Sequence, residues 1–114
     1  MERIYKATIN GNEYEVFGEY WETRQAWGHN AIFMKNGIEV TRARVRYYNR
    51  TWESYRFQSA GHQAVGVALD ELAARLFEAY RERTGRKRLT EDLKTGILEA
   101  SQDYAEIKQV YEAL

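Results

Sequence analysis

Arginines alternate with other residues between Thr41 and Trp52, and this alternation is the feature of the sequence best suited to do chemistry. Successive side chains of a β-strand point to opposite faces, so Arg42, Arg44 and Arg46 are predicted to share one face. Guanidinium groups donate paired hydrogen bonds to carboxylates and phosphates and stack on aromatic rings. The row therefore predicts a surface for an acidic protein or a nucleic acid, and an ordinary solvated face is the alternative.

Aromatic residues should extend this surface through a hairpin that turns at Asn49-Arg50. In that hairpin Tyr47 pairs with Trp52, and the arginine face gains Glu53 and Phe57. Rings between guanidiniums are typical of surfaces that stack single-stranded bases, and they also anchor protein interfaces. The predicted partner-binding residues are Arg42, Arg44, Arg46, Tyr48, Arg50 and Tyr55.

No catalytic pattern stands beside these residues. His29, expected in a loop after Trp27-Gly28, and His62 have no metal-ligand spacing, and there is no cysteine to act as a nucleophile or zinc ligand. The segment from Gly61 to Gly66 lacks the middle glycine of a dinucleotide fingerprint. We therefore expect a protein that is not an enzyme and that uses no cofactor and no metal.

The composition predicts one domain in the cytoplasm. The chain has 114 residues, no apolar run that could cross a membrane and no secretory signal after Met1. Its net charge is +0, but the charges are segregated. Residues 23–60 and 81–88 are basic, whereas residues 1–22 and 89–114 are acidic. One basic and one acidic surface, or internal pairing of the two, would each explain this distribution.

Tight turns must position the arginine strand. Asn10-Gly11 and Asn36-Gly37 are both typical of hairpins with two-residue loops. The first turn predicts the pairs Ile4–Phe17, Tyr5–Val16, Lys6–Glu15 and Ala7–Tyr14, and the second predicts Phe33–Val40 and Lys35–Ile38. The apolar parity changes between Ile38 and Ala43, so we expect a β-bulge near Thr41-Arg42.

Two helices are predicted after the strands. Apolar residues recur at helical spacing from about Ser59 to Thr84, and Thr90 is suited to cap a second helix that carries an a/d seam. The seam consists of Leu93, Ile97, Ala100, Tyr104, Ile107, Tyr111 and Leu114. It should pack on the first helix and the sheet, and a homodimer through this helix is the alternative. The helix's acids, Glu99, Asp103, Glu106 and Glu112, are expected on a solvated face; the alternative is an array that mimics a phosphate backbone.

These elements predict an α+β fold, with an antiparallel sheet of four to five strands followed by two C-terminal helices packed on one face. The sheet should occupy residues 1–58 and the helical hairpin residues 59–114 of a single domain. Trp21 and Trp27 flank a polar stretch that breaks the strand pattern. They are expected either to fill the core or to anchor an interface.

Residues 45–59, VRYYNRTWESYRFQS, resemble a segment of small uncharacterised proteins from phages and conjugative elements of bacteria. The resemblance implies a mobile-element origin and assigns no role to any residue. Small proteins of this kind, anti-CRISPR proteins among them, often occlude a host machine. We therefore expect a non-enzymatic protein-binding module that inhibits a host defence nuclease, and the alternative is a nucleic-acid-binding accessory protein that uses Arg42, Arg44 and Arg46.

Overall fold

A computed structural model describes residues 1–47, 56–84 and 91–114. Four strands precede two helices, namely β1 (Glu2–Ile9), β2 (Asn12–Glu22), β3 (Trp27–Lys35), β4 (Ile38–Tyr47), α1 (Arg56–Thr84) and α2 (Glu91–Ala113). The strands form one antiparallel sheet in the order β1-β2-β3-β4. The predicted α+β class is confirmed, with four strands in the described part of the chain.

Both Asn-Gly turns have the backbone that the sequence predicts. Asn10 and Gly11 have φ of 50° and 81°, and Asn36 and Gly37 have φ of 51° and 78°. A type I′ turn needs φ > 0 at both central residues, which asparagine and glycine tolerate. These two turns hold β1 against β2 and β3 against β4 as sequential hairpins.

The first hairpin has the predicted register up to Tyr5. Tyr5 pairs with Val16, and the two pairs nearer the turn are also as predicted. The Ile4–Phe17 pair is wrong, because Arg3 lies opposite Phe17. Ile4 is therefore the extra residue of a β-bulge, and it packs against the hydrophobic core.

The second hairpin contains the predicted β-bulge, which explains the change in apolar parity. The bulge lies slightly earlier in the strand than the expected Thr41-Arg42. Lys35 pairs with Ile38 as predicted, but Phe33 pairs with Thr41 instead of Val40. Val40 is the extra residue, so the residues after it change faces. Thr41 thereby turns toward α1, where its hydroxyl donates a buried 2.6 Å hydrogen bond to the carbonyl oxygen of Ala64.

The third predicted hairpin, turning at Asn49-Arg50, lies outside the described residues, as do residues 85–88 of the basic segment 81–88. Phe57 was predicted on the arginine face, but it belongs to α1, which begins at Arg56. Local sequence specifies the ends of helices and strands only weakly. A few residues with a strand-like pattern can therefore belong to the first turn of a long helix.

The core lies between one face of the sheet and both helices. The sheet contributes Tyr14, Val16, Ala31, Phe33 and Ala43, α1 contributes Ala60, Ala64, Val65, Ala68 and Leu72, and α2 contributes Ile107 and Val110. Tyr14 and Phe33 stack with their ring centroids 5.9 Å apart. Burial of these apolar side chains is the main favourable contribution to folding.

The seam of α2 is used mainly within the chain. Ile107 is buried, and Tyr104 and Leu114 pack against the core. Val110 is also buried, whereas its neighbour Tyr111 stays partly exposed. A homodimer through the remainder of this helix stays a prediction.

The outer half of the helical hairpin contributes little to the core. Beyond Leu72, no described residue of α1 belongs to the core cluster, and Phe77 and Tyr80 are exposed. Leu98 of α2 is exposed as well. Among the described helices, none has both the length and the apolar character that crossing a membrane requires.

Candidate functional site

Strand β4 places its arginines on the face of the sheet opposite the helices. Thr41 and Ala43 are buried against the core, whereas Arg42, Arg44 and Arg46 are exposed. We call this side the open face. By strand register it carries Arg3, Lys6, Glu13, Glu15, Phe17, Glu19, Trp21, Asn30, Ile32, Met34, Glu39, Arg42, Arg44 and Arg46.

Arg44 stacks on an aromatic ring that the sequence did not place beside it. Its guanidinium carbon lies 4.0 Å from the centroid of the Trp21 ring, across the intervening strand β3. The face of an indole attracts a cation, and the planar guanidinium also stacks on it. The stack presents an arginine whose orientation is held by a partly buried tryptophan.

Gly28 gives the Trp21 indole room to lie across β3. It pairs with Trp21 on one side and Arg46 on the other. A Cβ at this position would come within 2.8 Å of Trp21 Cζ2 and would collide with the carbonyl oxygen of Val45. The absence of a side chain at Gly28 therefore leaves the space in which tryptophan and arginine meet over strand β3.

Arg42 is engaged by a carboxylate of its own strand. Its Nε and Nη2 lie 3.2 and 2.7 Å from Glu39 Oε1. These hydrogen bonds raise the pKa of Arg42, so its positive charge is held more firmly. An acidic ligand at Arg42 would share or displace Glu39.

The opposite side of the open face carries carboxylates. Glu15 accepts a 3.4 Å ion pair from Arg3, and Glu13 accepts one of 2.8 Å from Lys6. The hydrogen bond from Lys6 lowers the pKa of the Glu13 carboxyl. The open face is thus basic along β4 and mixed in charge along β1 and β2.

An apolar strip runs through the middle of the open face. Phe17 and Ile32 are cross-strand neighbours there, and Ile32 pairs on its other side with Arg42. Ile32 is only 7% exposed, while Trp21 and Met34 are half-buried. An apolar centre with a charged rim is the usual composition of a protein-binding surface.

Three of the predicted binding residues, Arg42, Arg44 and Arg46, are therefore brought together, whereas Tyr48, Arg50 and Tyr55 lie outside the described residues. Trp21 was missed as the partner of Arg44, although its parity with Phe17 from the Asn10-Gly11 turn places both on one face.

The two tryptophans that flank the β2–β3 turn lie on opposite faces of the sheet. Trp21 lies on the open face, whereas Trp27 is 4% exposed and faces the helix side. The turn between them is closed by Thr23, whose backbone N–H donates a 2.7 Å bond to the carbonyl oxygen of Ala26. Trp27 therefore takes the expected core position, and an interface role for Trp21 stays a prediction.

His29 is not in the place that the sequence suggested, whereas His62 lies near the start of a helix as expected. His29 lies inside strand β3 instead of a loop, 3% exposed and packed edge-on to Tyr20 and Trp27. Trp27, Gly28 and His29 are all paired with residues of β2, and His29 lies opposite Tyr20. His62 has Nε2 2.9 Å from the carbonyl oxygen of Tyr111.

Glu106 is not on a solvated face of α2, as expected, but 4% exposed against the sheet. Its Oε1 accepts hydrogen bonds from Asn12 Nδ2 at 2.8 Å and from the Tyr14 hydroxyl at 3.0 Å. Burial, and then the bond to this carboxylate, raises the pKa of Tyr14. Asp103, one turn earlier, accepts a 2.7 Å ion pair from Lys35.

Models of protein families, curated proteins and solved structures were all compared with this chain, and none of them matches it.

Proposed function

We propose that the protein is a non-enzymatic binding module that binds an acidic surface of a partner protein through its open face. The observation that carries this proposal is the stack of Arg44 on Trp21, 4.0 Å from guanidinium carbon to ring centroid. Arginine and tryptophan are the residues in which interface binding energy concentrates, above all when they are held in place before binding.

The mixed charge of the open face favours a protein over a nucleic acid. Phosphate backbones are bound by uniformly basic surfaces, because each neutralised phosphate releases counterions. Here Glu39 pairs with Arg42, and Glu15 and Glu19 lie on β2. A protein surface can match both signs of charge and also cover the apolar strip at Phe17 and Ile32.

The resemblance of residues 45–59 to mobile-element proteins extends the proposal to the kind of partner. On this basis the partner is a bacterial host protein, such as a defence nuclease, and the mechanism is occlusion of its working surface. Occlusion needs no chemistry from the bound module, only a complementary surface that dissociates slowly.

The test replaces the three arginines and measures capture of a partner. R42A/R44A/R46A and a control that removes three arginines elsewhere, R24A/R75A/R81A, are used as baits in lysate of a bacterial host. The wild type and the control should retain a protein at near-stoichiometric yield. R42A/R44A/R46A should lose it while staying folded, with a melting temperature lowered by only a few degrees through the lost stack. Equal capture by both triple variants, or no capture by the wild type, would contradict the proposal.

The runner-up function, a nucleic-acid-binding accessory protein, rests on the same three arginines, Arg42, Arg44 and Arg46. It requires binding of single- or double-stranded nucleic acid at low salt, with an affinity that falls steeply as salt rises. Fluorescence anisotropy with labelled oligonucleotides measures this affinity at several salt concentrations. Absence of binding at the lowest salt would remove this alternative.

A further inference from the structure

A polar cleft lies on the helix side of the molecule, away from the open face. It is formed between the β1–β2 turn and α2 and has a volume of about 530 Å³. Its lining consists of Asn10, Asn12, Gln102, Ala105, Glu106 and Gln109. Four of these six side chains are carboxamides, and one is the buried carboxylate of Glu106.

The carboxylate of Glu106 is only half satisfied. Both hydrogen bonds, from Asn12 and Tyr14, go to Oε1. No described residue donates to Oε2. The ammonium of Lys35 pairs with Asp103 at 2.7 Å, and no ion pair of Glu106 with a described cation is seen. Glu106 lines the cleft, so a cationic ligand bound there could pair with this carboxylate through a charge-assisted hydrogen bond.

The donors and acceptors around Glu106 favour a guanidinium over a simple ammonium ion. A guanidinium carries five N–H donors in a planar fork, whereas an ammonium carries three and is more strongly hydrated. Gln102 and Gln109 lie on the same side of α2 as Glu106. Their carboxamide oxygens can accept hydrogen bonds from the guanidinium N–H groups that are not bonded to Oε2. Their amide groups can also bond to a peptide backbone.

We propose that this cleft binds the arginine side chain of an extended peptide segment, with the guanidinium on Glu106 Oε2 and the carboxamides around it. The volume of the cleft suits an arginine residue together with its flanking backbone better than a guanidinium alone. This site is independent of the open face and does not rest on the function proposed above.

The test is an NMR titration of the full-length protein that follows the side-chain carboxamide resonances of Asn12, Gln102 and Gln109. The probes are N-acetyl-arginine amide, its lysine counterpart and its neutral isostere N-acetyl-citrulline amide. The arginine probe should shift these resonances saturably with a millimolar Kd, as expected for a ligand of this size. The citrulline probe should bind at least about tenfold more weakly, because it lacks the charge-assisted bond.

Two variants separate the site from a general effect of charge. E106Q keeps an oxygen for Asn12 and Tyr14 but should abolish the preference for arginine over citrulline. E112Q, an exposed glutamate of the same helix, should retain it. If E106Q does not fold, Q102A/Q109A replaces it and is followed through the remaining Asn12 carboxamide. It should weaken arginine binding at least about threefold, the loss of one or two hydrogen bonds.

Several outcomes would overturn the proposal. Unsaturated shifts, or equal affinity for the arginine and citrulline probes, would show that Glu106 is structural only. Equal affinity for the lysine probe would remove the guanidinium preference. Tighter binding of free arginine than of the capped form would identify a small molecule instead of a peptide as the source of the guanidinium.

Discussion

Arg44 on β4 and Trp21 on β2 meet across strand β3, with the guanidinium carbon 4.0 Å from the ring centroid. The two residues are 23 positions apart in the sequence, and two registers must agree to bring them together. The stack can therefore form only if both strand pairings of the open face have this register.

A double-mutant cycle should detect this contact. R44A, W21A and R44A/W21A are compared by urea unfolding, and we expect a coupling free energy of about 0.5–1 kcal/mol, as for exposed cation–π pairs. The corresponding cycle of R42A with W21A is the control and should be additive, because Arg42 is engaged by Glu39. Additivity in both cycles would mean that the stack does not form in solution.

Gly28→Ala should destabilise the protein markedly. The new methyl group would collide with the Val45 carbonyl oxygen and press on Trp21, and overpacking of this kind costs about 1–3 kcal/mol or more. Gly96→Ala is the matched control, since a Cβ there meets nothing within 4 Å. It lies inside α2, so the same substitution should stabilise by about 0.5–1 kcal/mol. Thermal or urea unfolding of both variants gives the comparison.

Thr41→Val tests whether the bulge at Val40 turns Thr41 into the core. The substitution keeps the shape but removes the 2.6 Å bond to the Ala64 carbonyl, so we expect a loss of about 0.5–1.5 kcal/mol. Thr8→Val, at an exposed position of β1, should be nearly neutral. If the two variants unfold at the same urea concentration, the hydroxyl of Thr41 makes no stabilising bond.

Tyr14 should make the protein sensitive to alkaline pH. Its pKa is raised in the folded state above the ordinary 10.0, so folding favours the protonated phenol. The contribution of protonated Tyr14 to the free energy of unfolding is fully present below pH 10.0, and it is lost as the pH rises above that value.

Tyr14→Phe should flatten this dependence, while costing about 1–2 kcal/mol at neutral pH through the lost bond to Glu106. The measurement is the free energy of unfolding in urea at a series of pH values. Tyr80→Phe, which changes an exposed tyrosine, should leave the pH profile as in the wild type. A profile of Tyr14→Phe that is as steep as the wild type above pH 10.0 would contradict the assignment.

Much of the fold follows from short-range pattern. The Asn-Gly pairs predict both β-turns because φ > 0 is a local property, and the register nearest each turn follows from loop length. The parity change before Ala43 predicts the bulge, and the alternation after it places Arg42 and Arg44 on one face. Helical periodicity predicts α1 and α2, with bounds that shift by a few residues.

Contacts between distant parts of the chain decided the rest. Tyr14 and Glu106 are 92 residues apart, and only packing of α2 on the sheet turns a glutamate expected in solvent into a buried acceptor. Trp27 is buried on the helix side of the sheet, whereas Trp21 lies on the open face beneath Arg44. Sequence alternation separates the two faces of a sheet, but which face is covered is decided by where the helices bury their apolar side chains.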